Sequence, residues 1–167
     1  TNVIKLIYSF KSFFGLVFFF INDLIFQKVT EKSESILFIH TAGLGDLVHS
    51  TKIINTLLNT QSKIYFLVKS SHVRFYEEYK GNIRIIYVDY SKYKKNLLYR
   101  YTFLKKLQAN NFKYSFILNQ HRLLTDDDIA IHCGAKKRIA LNSHDSRYFK
   151  LGSRYIEPKY DEILFSS

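Results

Sequence analysis

Methionine and tryptophan are missing altogether from the 167 residues, cysteine occurs once, and acidic side chains are scarce, 14 against 25 basic ones. The lone Cys133 excludes an internal disulfide and any zinc site built on paired thiolates, and it fits a reducing compartment. With no methionine at Thr1 or anywhere else, the expectation is a trimmed start or an excerpt of a longer protein. The shortage of acids leaves a formal charge of +11, which calls for anionic partners such as phosphorylated sugars, acidic lipid surfaces or nucleic acid. A long apolar run is lacking too. The longest stretch free of polar side chains, Phe13 to Ile21, is about half of the roughly 20 residues that a membrane-spanning helix needs. Nothing after Ile21 resembles a small-x-small cleavage site, so a secretory signal peptide is not expected.

What is present points to a folded body. A hydrophobic fraction of 47% with 17% aromatics is far from a disordered composition, and 23% charged residues do not suit a chain wholly inside a bilayer. The length fits one domain, or one and a stub.

Residues 1–34 stand apart as an N-terminal helix and a polar linker, the latter running from Gln27 to Ser35. Lys5, Ser9, Ser12, Leu16, Phe19 and Asp23 follow alternating steps of four and three, a helical stripe polar at both ends and apolar in the middle. We favour a helix lying in a membrane interface; the other reading is an amphipathic helix packed on its own domain or on a dimer partner.

From Ser35 onward short apolar runs alternate with longer amphipathic ones, the signature of an α/β fold. Strands are expected at Ile36–Ile39, Lys63–Val68, Ile83–Val88, Tyr114–Leu118 and Arg138–Leu141. Helices are expected at Asp46–Asn59, Ser71–Lys80, Ser91–Gln108 and Thr125–Cys133. The third of these should turn Tyr93, Leu97, Tyr101, Leu104 and Leu107 inward, and the last should carry Asp126, Asp127 and Asp128 at its positive N-terminus. Right-handed crossovers then give an open parallel Rossmann-like sheet with helices on both faces, over residues 35–151. Lys136, Lys137 and Arg138, ahead of the fifth strand, read as surface on the opposite rim.

Between 91 and 118 lie Lys92, Lys94, Lys95, Arg100, Lys105, Lys106 and Lys113 with no acid. On one helix, 94 and 105, like 95 and 106, would sit about three turns apart and make a basic stripe suited to a phosphate-rich surface. Each lysine taken singly reads as solvated surface. No nucleic-acid motif accompanies them, and nucleic acid is not an expected partner.

The sharpest local signal is the turn after the first strand, Ile39-His40-Thr41-Ala42-Gly43-Leu44-Gly45-Asp46-Leu47-Val48-His49-Ser50. In an open α/β sheet ligands bind at the carboxyl ends of the strands, where this turn belongs. Gly43 and Gly45 let the backbone bend and a ligand approach without a Cβ in the way. Asp46 at the helix start has two roles open to it. It can cap the helix, or it can take the proton of a substrate hydroxyl as general base. His49 shares its side of the helix. Val48 stands where a dinucleotide fingerprint needs its third glycine, and there is no P-loop. No metal site is expected. After the fourth strand, Asn119-Gln120-His121-Arg122 reaches the same rim; Asn119, His121 and Arg122 suit sugar hydroxyls and phosphate, or form an ordinary polar loop.

The order strand, Leu44-Gly45-Asp46, His49-Ser50, helix resembles the N-terminal domain of glycosyltransferase family 9, the heptosyltransferases of lipopolysaccharide core assembly. The similarity continues through Tyr65-Phe66-Leu67-Val68, Tyr114 to Asn119 and Cys133-Gly134-Ala135-Lys136-Lys137-Arg138-Ile139, over roughly residues 35–141. The family often has Arg where His40 stands, Pro where Lys52 stands, and an Asp-x-Gln-Gly run where this chain reads Asn119 to Arg122. The resemblance implies the acceptor half of a GT-B enzyme, inverting and free of metal, with Asp46 as general base. It implies no bound cofactor, a nucleotide sugar as co-substrate held by a second domain, and a lipopolysaccharide or other lipid-linked glycan as acceptor. Residues 152–167 would lead toward that second domain, with Tyr160 to Phe165 opening a helix, and the fragment alone would bind acceptor weakly and transfer nothing. The place of work would be the inner face of the cytoplasmic membrane. A different class remains open: a non-catalytic, membrane-attached Rossmann-like module that binds an anionic ligand through the Gly43 to Asp46 turn.

Overall fold

The computed structural model describes residues 2–26, 34–41, 43, 52, 54–57, 62–77, 83–119, 121–142 and 154–164, and of 2–12 the backbone course alone. Six strands, β1 (Ile36–Ile39), β2 (Ile64–Lys69), β3 (Ile83–Val88), β4 (Tyr114–Ile117), β5 (Lys137–Leu141) and β6 (Glu162–Leu164), form one sheet in the order β3-β2-β1-β4-β5-β6. Every pairing is parallel, with Ile36 beside Ile64 on one side and Tyr114 on the other. This is the expected α/β architecture, an open Rossmann-like sheet whose order reverses between β1 and β4.

Its strands are apolar at successive positions because both faces are covered. Leu37, Ile39, Tyr65, Leu67 and Ile117 face one core, while Phe38, Ile64, Phe66, Val68 and Ile83 face the other. The second core is closed by Ile54 and Leu57, within the helical residues 54–57, and by Tyr76 of a single turn, α2 (Val73–Tyr76). The first is the larger and is closed by the remaining helices: α1 (Asn2–Ile25), α3 (Tyr90–Lys95), α4 (Leu97–Gln108) and α5 (Leu124–His132).

The helix expected over Ser71–Lys80 is reduced, among its described residues, to a 3-10 turn at Ser70–His72 and the single α-turn α2, and two further expected elements differ. The long helix over 91–108 is broken at Asn96, whose backbone is extended (φ −119, ψ 107) and whose side-chain oxygen accepts from Tyr99 N, capping α4. The break turns the helix faces, so Leu97 and Tyr101 are exposed and Arg100, Phe103, Leu104 and Leu107 point inward. The lysines of 92–106 therefore lie on two helices instead of one three-turn stripe, Lys113 lies beyond both, and Arg100 has left the surface. The second difference is at Tyr160 to Phe165. Its first residues extend, and β6 adds a short edge strand beside β5, with Asp161 N donating to Arg138 O and Arg138 N to the Asp161 carboxylate. A free sheet edge has unpaired backbone groups to offer, and that outweighs the local helical preference of three or four residues.

The N-terminal helix packs on its own domain over the length where side chains are described. Gly15 permits close approach, since a Cβ there would lie 2.6 Å from Leu124 Cδ2. Phe19 is fully buried with its ring 4.8 Å from that of His132, and Phe26 is buried 5.6 Å from Tyr101. Among the described residues no helix is long and apolar enough to cross a membrane.

Candidate functional site

Parallel strands bring all their carboxyl ends to one edge, and the crevice of such a sheet opens where the strand order reverses. Here that point lies between β1 and β4, so the chain leaving Ile39 and the chain leaving Ile117 meet there. His40 N still donates to Leu67 O (2.9 Å) and Leu118 N to Ile39 O (3.0 Å), so the ladder holds to the last residue. Beyond it the two loops are joined by side chains. Asn119 Oδ1 accepts from Thr41 N (3.2 Å), and its Nδ2 donates to Thr41 Oγ1 (2.8 Å) and to Asp126 Oδ2 (3.1 Å). Thr41 Oγ1 donates in turn to Asp126 Oδ1 (2.6 Å), Leu123 N donates to Asp126 Oδ2 (3.0 Å), and the Tyr90 hydroxyl donates to Asp126 Oδ1.

Asp126 is fully buried, and burial pushes its carboxyl up to about 7, against the opposing pull of the Thr41 and Leu123 hydrogen bonds. It links the ends of β1, β3 and β4. The ring of Tyr90 at the end of β3 also lies under two cations, Lys69 Nζ at 5.4 Å and Lys94 Nζ at 5.5 Å from its centroid. Burial and the Lys69 charge lower the affinity of Lys94 for its proton. The edge beside the switch point is therefore basic.

The three consecutive aspartates of α5 are all buried and fan out by about 100° per residue. Asp126 faces the strand ends. Asp127 accepts from Tyr160 OH (2.6 Å) and faces Arg122, whose Nε is 3.6 Å away and whose guanidinium lies 5.2 Å from the Tyr160 ring centroid. Asp128 receives Arg100 Nε (2.9 Å) and Nη2 (2.8 Å), Asn22 Nδ2 (2.9 Å) and the Tyr93 hydroxyl. His132 sits between Asp128 Oδ1 (3.1 Å) and Asp23 Oδ1 (3.0 Å), and Asp23 also accepts from Tyr155 and Lys159. Burial alone would raise the Asp23 and Asp128 carboxyls and lower the imidazole. Their hydrogen bonds and charges prevail, so both carboxyls are held below their usual range and His132 above its own.

The expected site residues divide accordingly. Gly45, Asp46 and His49 lie outside the described residues. Gly43 is exposed, and an added Cβ would meet nothing within 4 Å, so the turn is open at that point. His121 is exposed at the rim. Asn119 and Arg122 are both 4% exposed; each holds the rim together from below and presents little surface to a ligand. Lys136 and Lys137 are exposed as expected, with Arg138 half-buried. Sequence reasoning missed Thr41, Tyr90 and Asp126. A signal was available: Asp126-Asp127-Asp128 runs straight into Ile129-Ala130-Ile131, a helix with no solvated face, and buried carboxylates require partners. Among the described residues no group of three His, Cys, Asp or Glu is arranged to hold a metal ion.

The raised Asp126 carboxyl has a measurable consequence. The folded protein keeps a proton there that the unfolded chain releases near 3.8, so this group's contribution is complete below that pH and is lost as pH rises through about 7. Asp126→Asn removes the titration while keeping a neutral group. Denaturant unfolding of both proteins at about pH 5 and about pH 8 should show the variant gaining on the wild type by on the order of 2 kcal/mol at the higher pH. An unchanged difference between the two proteins would mean that Asp126 is ionised throughout.

No family model, no curated protein and no solved structure matches this chain.

Proposed function

We propose that this chain is the acceptor-binding half of an inverting, metal-independent glycosyltransferase of the heptosyltransferase kind, with Asp46 as general base. The observation that carries the reading is the coincidence of the Gly43 turn with the switch point of a six-stranded parallel sheet, the place where an α/β domain receives its ligand. The Thr41–Asn119–Asp126 bonds fix where that turn departs, five residues before Asp46. An aspartate at the lip of a crevice needs only hydrogen-bond reach of the acceptor hydroxyl to take its proton as the oxygen attacks the anomeric carbon. Lys69, Lys94 and His121 along the same edge supply donors and positive charge for an anionic, phosphate-bearing glycan. A nucleotide sugar would come from a second domain. A lipid-linked or lipopolysaccharide-type acceptor places the work at the inner face of the cytoplasmic membrane, where the protein would bind peripherally.

The test is Asp46→Asn in the native protein together with its donor-binding domain. The substitution retains shape and capping capacity and removes basicity, so sugar transfer should drop on the order of a hundredfold or more with the fold unchanged. Transfer within a few fold of wild type would return Asp46 to helix capping and favour the non-catalytic anion-binding module.

A further inference from the structure

The C-terminal half of α1 is built inside out. Asn22 and Asp23, its polar residues, point into the domain and bond Asp128 and His132. Its outward arc is Phe13, Phe14, Val17, Phe20, Ile21, Leu24 and Ile25, every one at least 36% exposed and none polar, with Leu24 at 84%. Spaced by threes and fours, these side chains cover about 140° of the helix, at 100° per residue. A surface helix facing water shows the opposite arrangement, and a contiguous apolar patch of this kind marks an interaction surface.

We propose that this arc and the start of α4 form one surface that docks in the plane of an anionic lipid bilayer. The choice of occupant rests on charge. Tyr101 of α4, itself partly exposed, joins the two helices through its ring contact with Phe26, and Leu97 and Leu98 one turn earlier are exposed beside it. Lys105 Nζ lies 5.7 Å from the Tyr101 ring centroid, and Lys95 and Lys106 are exposed on the adjoining turns, in a stretch that has no acid. A second copy on this face would bring in a second set of these lysines with no acid of the same stretch to pair them. Acidic headgroups instead neutralise the lysines while the apolar side chains enter the boundary region of the bilayer. The helix would lie flat, because Gly15, Phe19, Asn22 and Asp23 hold the inner side of its C-terminal half against the domain. The inference deepens the membrane placement proposed above by naming its surface and its lipid chemistry; it does not depend on sugar transfer.

The experiment is sedimentation of the chain with vesicles of neutral phosphatidylcholine, alone or mixed with anionic phosphatidylglycerol. The variants are Phe13→Ser/Phe14→Ser/Leu24→Ser and Lys95→Gln/Lys105→Gln, with folding checked by thermal unfolding. The wild type should bind the anionic vesicles, weaken with salt and bind neutral vesicles poorly. The triple serine variant should lose about tenfold or more at an unchanged melting temperature, and the double glutamine variant should lose about fivefold per lysine on anionic vesicles. Anionic-vesicle binding unaltered in the folded serine variant overturns the proposal. So does a wild type that ignores vesicles, and dimerisation abolished by the serine substitutions would then assign the arc to a second copy. Asp46→Asn should bind vesicles like the wild type, so failure here and failure of the transferase reading are separate results.

Discussion

A chain lacking residues 1–27 is expected to unfold, and the deletion will not simply release an anchor. Phe19 and Phe26 belong to the larger core, at 0% and 7% exposure. Loss of one buried phenylalanine side chain costs about 3 to 5 kcal/mol, and two go here. The same deletion takes Asn22 from Asp128 and Asp23 from His132, Tyr155 and Lys159. It also uncovers Leu124, which packs against Gly15. The sum is comparable to the whole stability of an ordinary domain, about 5 to 15 kcal/mol. Thermal unfolding followed by near-ultraviolet circular dichroism should show no cooperative transition near the wild-type temperature. A sharp transition within a few degrees of wild type would show that α1 is an appendage. The outcome decides how binding experiments must be built. Membrane loss on deletion would report unfolding, whereas substitutions on the outward arc leave the inner contacts intact.

The expectation for α1 shows where sequence was informative and where it misled. The alternation of polar and apolar positions correctly marked a two-sided helix. Which side faces the domain was settled by something one helix cannot reveal: Asp128 and His132, more than a hundred residues away, need partners for buried charge. The sheet was the most legible part, because strands covered on both faces read as continuous apolar runs, and Ile36–Ile39 and Ile83–Val88 carry the expected boundaries. The break at Asn96 was less visible, since Tyr, Leu and Lys fit a continuous helix and only the cap geometry separates the two. The rim residues Asn119 and Arg122 lie at the expected edge and are buried there. Position along a strand follows from topology; depth follows from Asp126 and Asp127 beneath them. The three aspartates read as ordinary N-terminal carboxylates, a role Asp126 does keep by accepting from Leu123 N.

Asp128→Ala is expected to be the most damaging single substitution in the described part of the chain. Arg100, with its side chain 6% exposed, would be left as a buried cation without its carboxylate. Breaking a buried pair from one side costs about 3 to 5 kcal/mol, and Asn22, Tyr93 and His132 lose an acceptor as well. The contribution should follow pH in a definite sense. Asp128 is held below its usual 3.8, so its share is present above that value and lost as pH falls through the lower folded one. His132 is raised above 6.5, so its share is present below that value and lost as pH climbs through the higher folded one. Both shares are complete only between these limits, so the penalty measured by denaturant unfolding should be largest there and shrink on the alkaline side as His132 becomes neutral. Arg100→Met tests the pairing independently. If the two side chains stabilise the fold through each other, the double variant will cost less than the two single costs added together, by about 1 to 3 kcal/mol. Strict additivity would mean that Asp128 serves His132 and Asn22 alone, and that the guanidinium is held by the Phe18 and Tyr93 rings stacked near it.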